Sequence, residues 1–230
     1  MSSSADLLRA LADRVSRAPV PRGTGLYHYV HTSGWYRHTI RTVDRTGVQV
    51  RSVSTDFLDR RQWIAPDGSG RLLVIQGETA VRPSGYYPPG GLPADFLTAA
   101  DLPTIAGRLQ GKSRRESTAS VMKSFTTVWQ TQVVSPELQR LLLLCLAQQP
   151  DLTVESAIED RLGRSGVAIS HIDTDRHVRH RLLLHEENGM LLTSQNIDAD
   201  SSAEADAAPT IINCTMWLDA YYTTTTESSS

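Results

Sequence analysis

Residues 26–54, LYHYVHTSGWYRHTIRTVDRTGVQVRSVS, decide the fold class. Three runs, Leu26 to Thr32, Trp35 to Val43 and Val48 to Ser54, are rich in aromatic and β-branched residues and alternate them with polar ones. That period of two belongs to half-buried strands. Ser33-Gly34 reads as a tight connection between the first two, because glycine reaches positive φ without steric cost. Links this short join antiparallel neighbours, since parallel strands need long crossovers. Further strands follow at Gln62 to Ala65 and Leu72 to Gln76, separated by the turn signal Asp67-Gly68-Ser69-Gly70.

Working outward, Leu7, Leu8, Leu11 and Val15 give an N-terminal helix one apolar stripe, with Ser4 or Asp6 as its cap and an end near Arg17. Between Pro83 and Pro103 the composition shifts to Gly, Pro, Tyr and Leu, which reads as a loop laid over the body, with a short helix after Leu102. Two helices follow, from about Ser117 to Gln132 and from Pro136 to Gln149, the second opening on Ser135-Pro136. Its residues Leu138, Leu141 to Leu144 and Leu146 cover nearly the whole circumference, so a plug buried against the sheet is expected. Strands resume at Leu152 to Glu159, Gly166 to Ile172, Val178 to Leu184, Met190 to Gln195 and Thr210 to Tyr221, with Glu187-Asn188-Gly189 as a hairpin signal and Asp198 to Ala208 as a polar loop. Strands, then helices, then strands, with no linker between them, predict an α+β fold on an antiparallel sheet. The expectation is one domain over residues 1–222, with a helical insert at about 102–149 and a disordered tail at 223–230.

Composition excludes several classes. A net charge of −2 and a sequence pI near 6.4 argue against a nucleic-acid footprint. The longest apolar run, Leu141 to Ala147, falls far short of the roughly 20 residues of a membrane span, and Met1 to Val15 lacks the pattern of a secretory signal. Cys145 and Cys214 have no motif spacing and read as reduced core residues. A cytoplasmic address follows as the expectation.

Gly25-Leu26-Tyr27-His28-Tyr29-Val30, the strand and turn Arg61-Gln62-Trp63-Ile64 into Asp67-Gly68-Ser69-Gly70-Arg71, and the helix start Ser135-Pro136-Glu137-Leu138 occur in an order that resembles a known family. Gly163-Arg164-Ser165-Gly166-Val167-Ala168 and Asn188-Gly189-Met190-Leu191 fit the same template. The family consists of actinobacterial proteins of unassigned function whose outer domain is similar to the lipoprotein-carrier fold of LolA, RseB and LppX-type proteins. The resemblance spans about Leu7 to Tyr221. It implies a strongly curved antiparallel sheet, an open half-barrel with helices packed in its concave face. Family members usually carry a membrane tether before this domain; none precedes it in this sequence, so a free-standing cytosolic copy is expected.

Motifs for chemistry are few. Gly107 to Ser113 imitates a phosphate loop, but the glycine spacing is one residue short and no buried strand precedes it. His171, His177, His180 and His185, with Asp173 and Asp175, suggest a metal, yet Arg176, Arg179 and Arg181 intervene; no metal or other cofactor is expected. No nucleophile elbow is present, and a thiolate at Cys145 inside the leucine run would be costly. Catalytic residues are therefore not assigned.

The aromatic set carries the functional reading. Tyr27 and Tyr29 share one strand face, as do Trp35 and Arg37; Trp63 lies on a neighbouring strand, Tyr86 and Tyr87 in the covering loop, and Trp129 at a helix end. On a curved sheet these eight converge on a cavity that binds an apolar small molecule, the first functional expectation. A filled core is the competing one. The second function is a cofactor-independent cyclase or isomerase of a secondary-metabolite pathway, with Tyr27, Tyr29, Arg37 and His38 as polar tips. The third, by analogy of fold with RseB, is a regulatory partner of an anti-sigma-type protein.

Overall fold

The computed structural model describes residues 3–15, 20–44, 47–99, 117–200 and 210–227. The elements run α1 (Ser4–Val15), β1 (Tyr27–Asp44), β2 (Gly47–Ile64), β3 (Gly70–Gln76), β4 (Thr79–Tyr87), α2 (Thr118–Thr131), α3 (Pro136–Leu146), β5 (Thr153–Glu159), β6 (Ser165–Asp173), β7 (Val178–His185), β8 (Leu191–Asp198) and β9 (Ile211–Thr223). All nine strands form one antiparallel sheet in the order β4-β3-β2-β1-β9-β8-β7-β6-β5. Two meanders thus meet at the central β1–β9 pair. Because β4 and β5 occupy opposite edges, the chain between them has to cross the sheet, and that crossing carries α2 and α3. Register shifts in β1–β2, β1–β9, β3–β4, β5–β6, β7–β8 and β8–β9 supply the bulges that bend the sheet. The result is the expected α+β architecture, an open curved sheet with helices against one face.

Local chemistry explains where the helices begin. Ser3, rather than Ser4 or Asp6, caps α1: its hydroxyl accepts from the Asp6 N–H at 3.1 Å and donates to the Asp6 carboxylate at 2.7 Å. Ser117 caps α2, and Ser135 caps α3 ahead of Pro136, accepting from the Leu138 N–H at 3.3 Å. The short helix expected after Leu102, the phosphate-loop look-alike Gly107 to Ser113, the end of α1 near Arg17, residues 201–208 of the polar loop and the last three residues lie outside the described residues.

Three expectations change. Ser33-Gly34 is no turn: both runs around it belong to the single strand β1, and the run at Gln62 likewise continues β2. Gly34 is needed because a side chain there would collide with the Cys214 carbonyl of β9, a close approach of two backbones. Second, the composition shift at Pro83 conceals edge strand β4. An edge tolerates proline, and at its register shift the Ser84 hydroxyl accepts from the Val74 N–H at 2.8 Å and donates to the Val74 carbonyl at 3.1 Å. Ser84→Ala should cost about 1 kcal/mol in urea denaturation, because it unpairs a backbone donor and acceptor at a site water can reach. Third, the leucine-rich α3 packs chiefly on α1 and leaves Leu144 and Cys145 half-buried, whereas α2 lies across β1, β6 and β7.

The main core joins Leu8, Leu11 and Val15 of α1, Phe125 and Trp129 of α2, Leu138, Leu142 and Leu146 of α3, and Val30, Ile169, Leu182, Leu184 and Trp217 of the sheet. A second cluster, Ile64, Leu72, Val74 and Leu92, fills the same face near β3. Beyond Tyr36, β1 has no ladder pairing with β9, and before Leu58 β2 has none with β3 among the described residues. The remainder of both strands pairs only with itself and projects as a two-stranded arm.

Candidate functional site

In antiparallel pairing, residues directly opposite each other share a face. Following the register from strand to strand gives a row on the helix-bearing face: Asp56, Tyr36, Asn213, Asn196, His180 and His171, one from each of six strands. The adjacent row toward the core runs Gly34, Thr215, Ser194, Leu182 and Ile169. The face therefore grades from apolar to polar along the strands.

Helix α2 crosses this gradient. Its inward stripe, including Val121, Met122, Phe125 and Trp129, enters the core, while Ser120, Lys123, Thr126, Thr127 and Gln130 form a polar flank. The hydroxyls of Thr126 and Thr127 donate back to the carbonyls of Met122 and Lys123 at 2.9 and 3.0 Å, which leaves their methyl groups to line the surface. Between the flank and the polar rows lies a cleft of about 660 Å³. Tyr36, Asn213, Asn196, His180, Ser194, Thr215 and Leu182 line its sheet side, Lys123, Gln130, Met122 and Ser120 its helix side, and Arg176 its end at the β6–β7 turn. Its volume falls within the range of small-molecule sites, and its lining mixes hydrogen-bonding groups with Met122, Leu182 and the Tyr36 ring.

Several of these groups are pre-positioned. The Tyr36 hydroxyl and the Thr215 hydroxyl lie 3.2 Å apart. His180 Nδ1 is 2.8 Å from Asn196 Oδ1, a contact in which the ring nitrogen donates. The other nitrogen, Nε2, then carries the lone pair in the neutral ring, and among the described residues it is enclosed without a hydrogen-bond partner, as is His171 Nδ1. Burial lowers the His180 pKa, partly offset by the Asn196 bond, so the ring is neutral at pH 7. No group of three or more His, Cys, Asp or Glu among the described residues is placed to hold a metal.

The seven aromatic residues singled out in the sequence, and Arg37 with them, lie elsewhere; none of these eight lines this cleft. Tyr29, Trp63 and Tyr86 gather on the face away from the helices. Tyr29 packs at a tilt against Trp63 and Tyr221 at centroid distances of 5.0 and 4.5 Å, and the Arg71 guanidinium lies over both Trp63 and Tyr86. Arg71 also donates to the Thr226 carbonyl at 3.1 Å, so the expected tail is in contact with this face at least that far, and Thr223 is the last residue of β9. Tyr27 shares that face at the strand end. Trp35 is covered by Arg161, 4.1 Å from its ring, and Arg37 follows it, exposed on the arm. Tyr87 belongs to β4 and packs against the Leu92 cluster, and its hydroxyl donates to the Pro83 carbonyl. Trp129 is core, beside Phe125. Of the polar tips, His38 pairs with Asp56 at 3.1 Å.

The cleft escaped the sequence reading because each of its polar residues is unremarkable in its own strand. Only the register aligns them. The available signal was the repeated polar residue at inward positions of Val178 to Leu184, Met190 to Gln195 and Thr210 to Tyr221, where an apolar residue would complete a core.

No helix among the described residues is long and apolar enough to cross a membrane. No protein-family model matches the chain, and no curated protein matches it in sequence. Solved structures with a related course include MucB in complex with the periplasmic part of MucA, at 12% identity and a TM-score of 0.31, and the Pseudomonas aeruginosa MucA/MucB complex, at 14% and 0.32. Each match covers 95% of this chain but only 55% and 56% of the MucB chains, so this chain spans little more than half their length. A lipoprotein-sorting protein domain from Vibrio parahaemolyticus is similar over 95% of this chain and 92% of its own, at 9% identity and a TM-score of 0.26. The fold class itself stands on the strand order and register: this chain is an open antiparallel half-barrel carrying its helices on one face.

Proposed function

We propose that this protein is a binding module that holds a small amphiphilic molecule in the cleft between α2 and the sheet. The observation that carries the reading is the polar row on a face that is otherwise core. A filled core would place apolar residues at Asn196, Asn213 and His180; the chain instead spends hydrogen-bonding side chains there and leaves about 660 Å³ between them and α2. An apolar body rests on Met122, Leu182 and the Tyr36 ring, and polar groups meet the amides and hydroxyls. This differs from a purely apolar ligand among the seven aromatic residues and Arg37, the rings being used in the core and on the opposite face.

Native mass spectrometry on protein purified gently from its own host tests the reading. A bound species of a few hundred daltons is expected, lost in Asn213→Trp, which fills the cleft, and retained in Tyr86→Ala, on the other face. A clean mass that the host's small-molecule extract does not shift would overturn it. The reading would then pass to a protein partner, which draws on the projecting arm with Phe57 63% and Val53 48% exposed.

A further inference from the structure

We infer that the cleft takes an anionic group of its ligand, a carboxylate or a phosphate, against Lys123 and Arg176; this rests on the reading of the cleft as a binding site. The charged groups lining it are cationic: Lys123 on the α2 flank and Arg176 at the β6–β7 turn, and no Asp or Glu among the described residues lines it. Lys123 is exposed and forms no ion pair among the described residues. Among the described residues Arg176 has one ion-pair partner, Asp173, at 4.0 Å, and its side chain is 77% exposed. An ion pair at that distance in solvent is weak and leaves the guanidinium fork open to a second anion. Ser117, Ala119 and Ser120 bring the start of α2 to the same cleft, and its first turn contains no acidic residue, so the helix dipole adds to the positive potential.

The rest of the lining selects what is attached to the anion. Asn196, Asn213, Gln130, Ser194 and Thr215 present amides and hydroxyls able to donate or accept, the complement of a hydroxylated molecule. His180 is neutral and held by Asn196, so it adds no fixed charge at pH 7. The ligand class is therefore a small amphiphile whose polar end is a hydroxylated acid or phosphate ester.

Protein-observed NMR titration with gluconate against gluconamide, and glucose 6-phosphate against glucose, tests this on the full chain. The charged member of at least one pair should bind roughly tenfold more tightly than its neutral partner, with shifts on α2, β8 and β9. That advantage should shrink in Lys123→Gln, disappear when Arg176→Gln is added to it, and fall as salt is raised. Which pair shows it separates a carboxylate from a phosphate ligand. Equal binding of charged and neutral members at the cleft would overturn the anion and leave the binding site standing. Shifts confined to other surfaces and indifferent to Lys123→Gln would show ionic association only and overturn the anion. Silence of the cleft toward all four probes at millimolar concentration would overturn the anion, while the binding site itself stands or falls on the native mass measurement.

Discussion

Arg164→Ala is expected to destabilise the fold by about 3 kcal/mol, near the lower end of what removing one partner of a buried pair costs. Arg164 follows the β5–β6 turn and ties three parts of the sheet together. Its Nε donates to Asp160 Oδ2 at 2.8 Å, Nη1 to the Trp217 carbonyl at 2.7 Å and Nη2 to the Leu192 carbonyl at 3.0 Å. The Asp160 side chain is only 1% exposed, so its charge depends on these partners. Backbone N–H groups of Leu162 and Arg164 also donate to it, at 2.8 and 3.0 Å, which keeps the cost from the top of the range. Burial works to raise the Asp160 pKa, but the Arg164 bond and these backbone donors outweigh it and hold the carboxyl below its ordinary value of 3.8. Such a group contributes stability that is present above the ordinary value and is lost as pH falls through the depressed one. The penalty of Arg164→Ala, read from urea denaturation at pH 7, should therefore shrink below about pH 4. Asp160→Asn combined with Arg164→Ala should cost less than the sum of the single changes, because a neutral amide no longer needs the cation. A single-variant loss below about 0.5 kcal/mol would show that solvent screens the pair.

Lowering the pH from 7.5 to 5 should cost the wild-type protein about 2 kcal/mol through His28 alone. His28 Nδ1 accepts from the Val133 N–H at 3.0 Å, at the junction of α2 and α3, so the ring is needed neutral. It packs at a tilt against Phe96 at 4.1 Å and meets Tyr222 edge to face at 4.9 Å. Burial pushes its pKa down from 6.5 to about 4. The unfolded chain takes up a proton near pH 6.5 while the folded one resists until about 4. Stability is thus complete above 6.5 and falls progressively down to about 4. His28→Gln keeps an acceptor for Val133 without a titrating group. Its denaturation free energy should be flatter over the same interval; parallel slopes for the two proteins would show that another group carries the acid sensitivity.

Both residues illustrate what a linear reading misses. Arg164 and His28 appear in the sequence as a charge beside a turn and a histidine in a strand. Their importance comes from Trp217, Leu192 and Val133, which are distant along the chain. The same holds for the cleft: Tyr36, Asn196, Asn213 and His180 acquire a common meaning only when four strands are laid in register. The aromatic residues were visible from composition, but their destinations were not. A side chain's face depends on strand phase, and both the unbroken β1 and the edge strand β4 altered the neighbours that the turn signals implied.

The period-two runs, the Ser135-Pro136 helix start, the Glu187-Asn188-Gly189 hairpin and the strand–helix–strand order that makes the fold α+β are all readable from short segments. These follow from backbone sterics, capping and hydrophobic period, all of which act over a few residues. No short segment shows that Gly34 serves a close approach of β9 rather than a turn, that α2 rather than α3 lies across the sheet, or that the polar groups of the concave face surround a cleft. Each of those depends on which strand lies beside which and in what register, and register is fixed by the packing of the whole face, not by any segment within it.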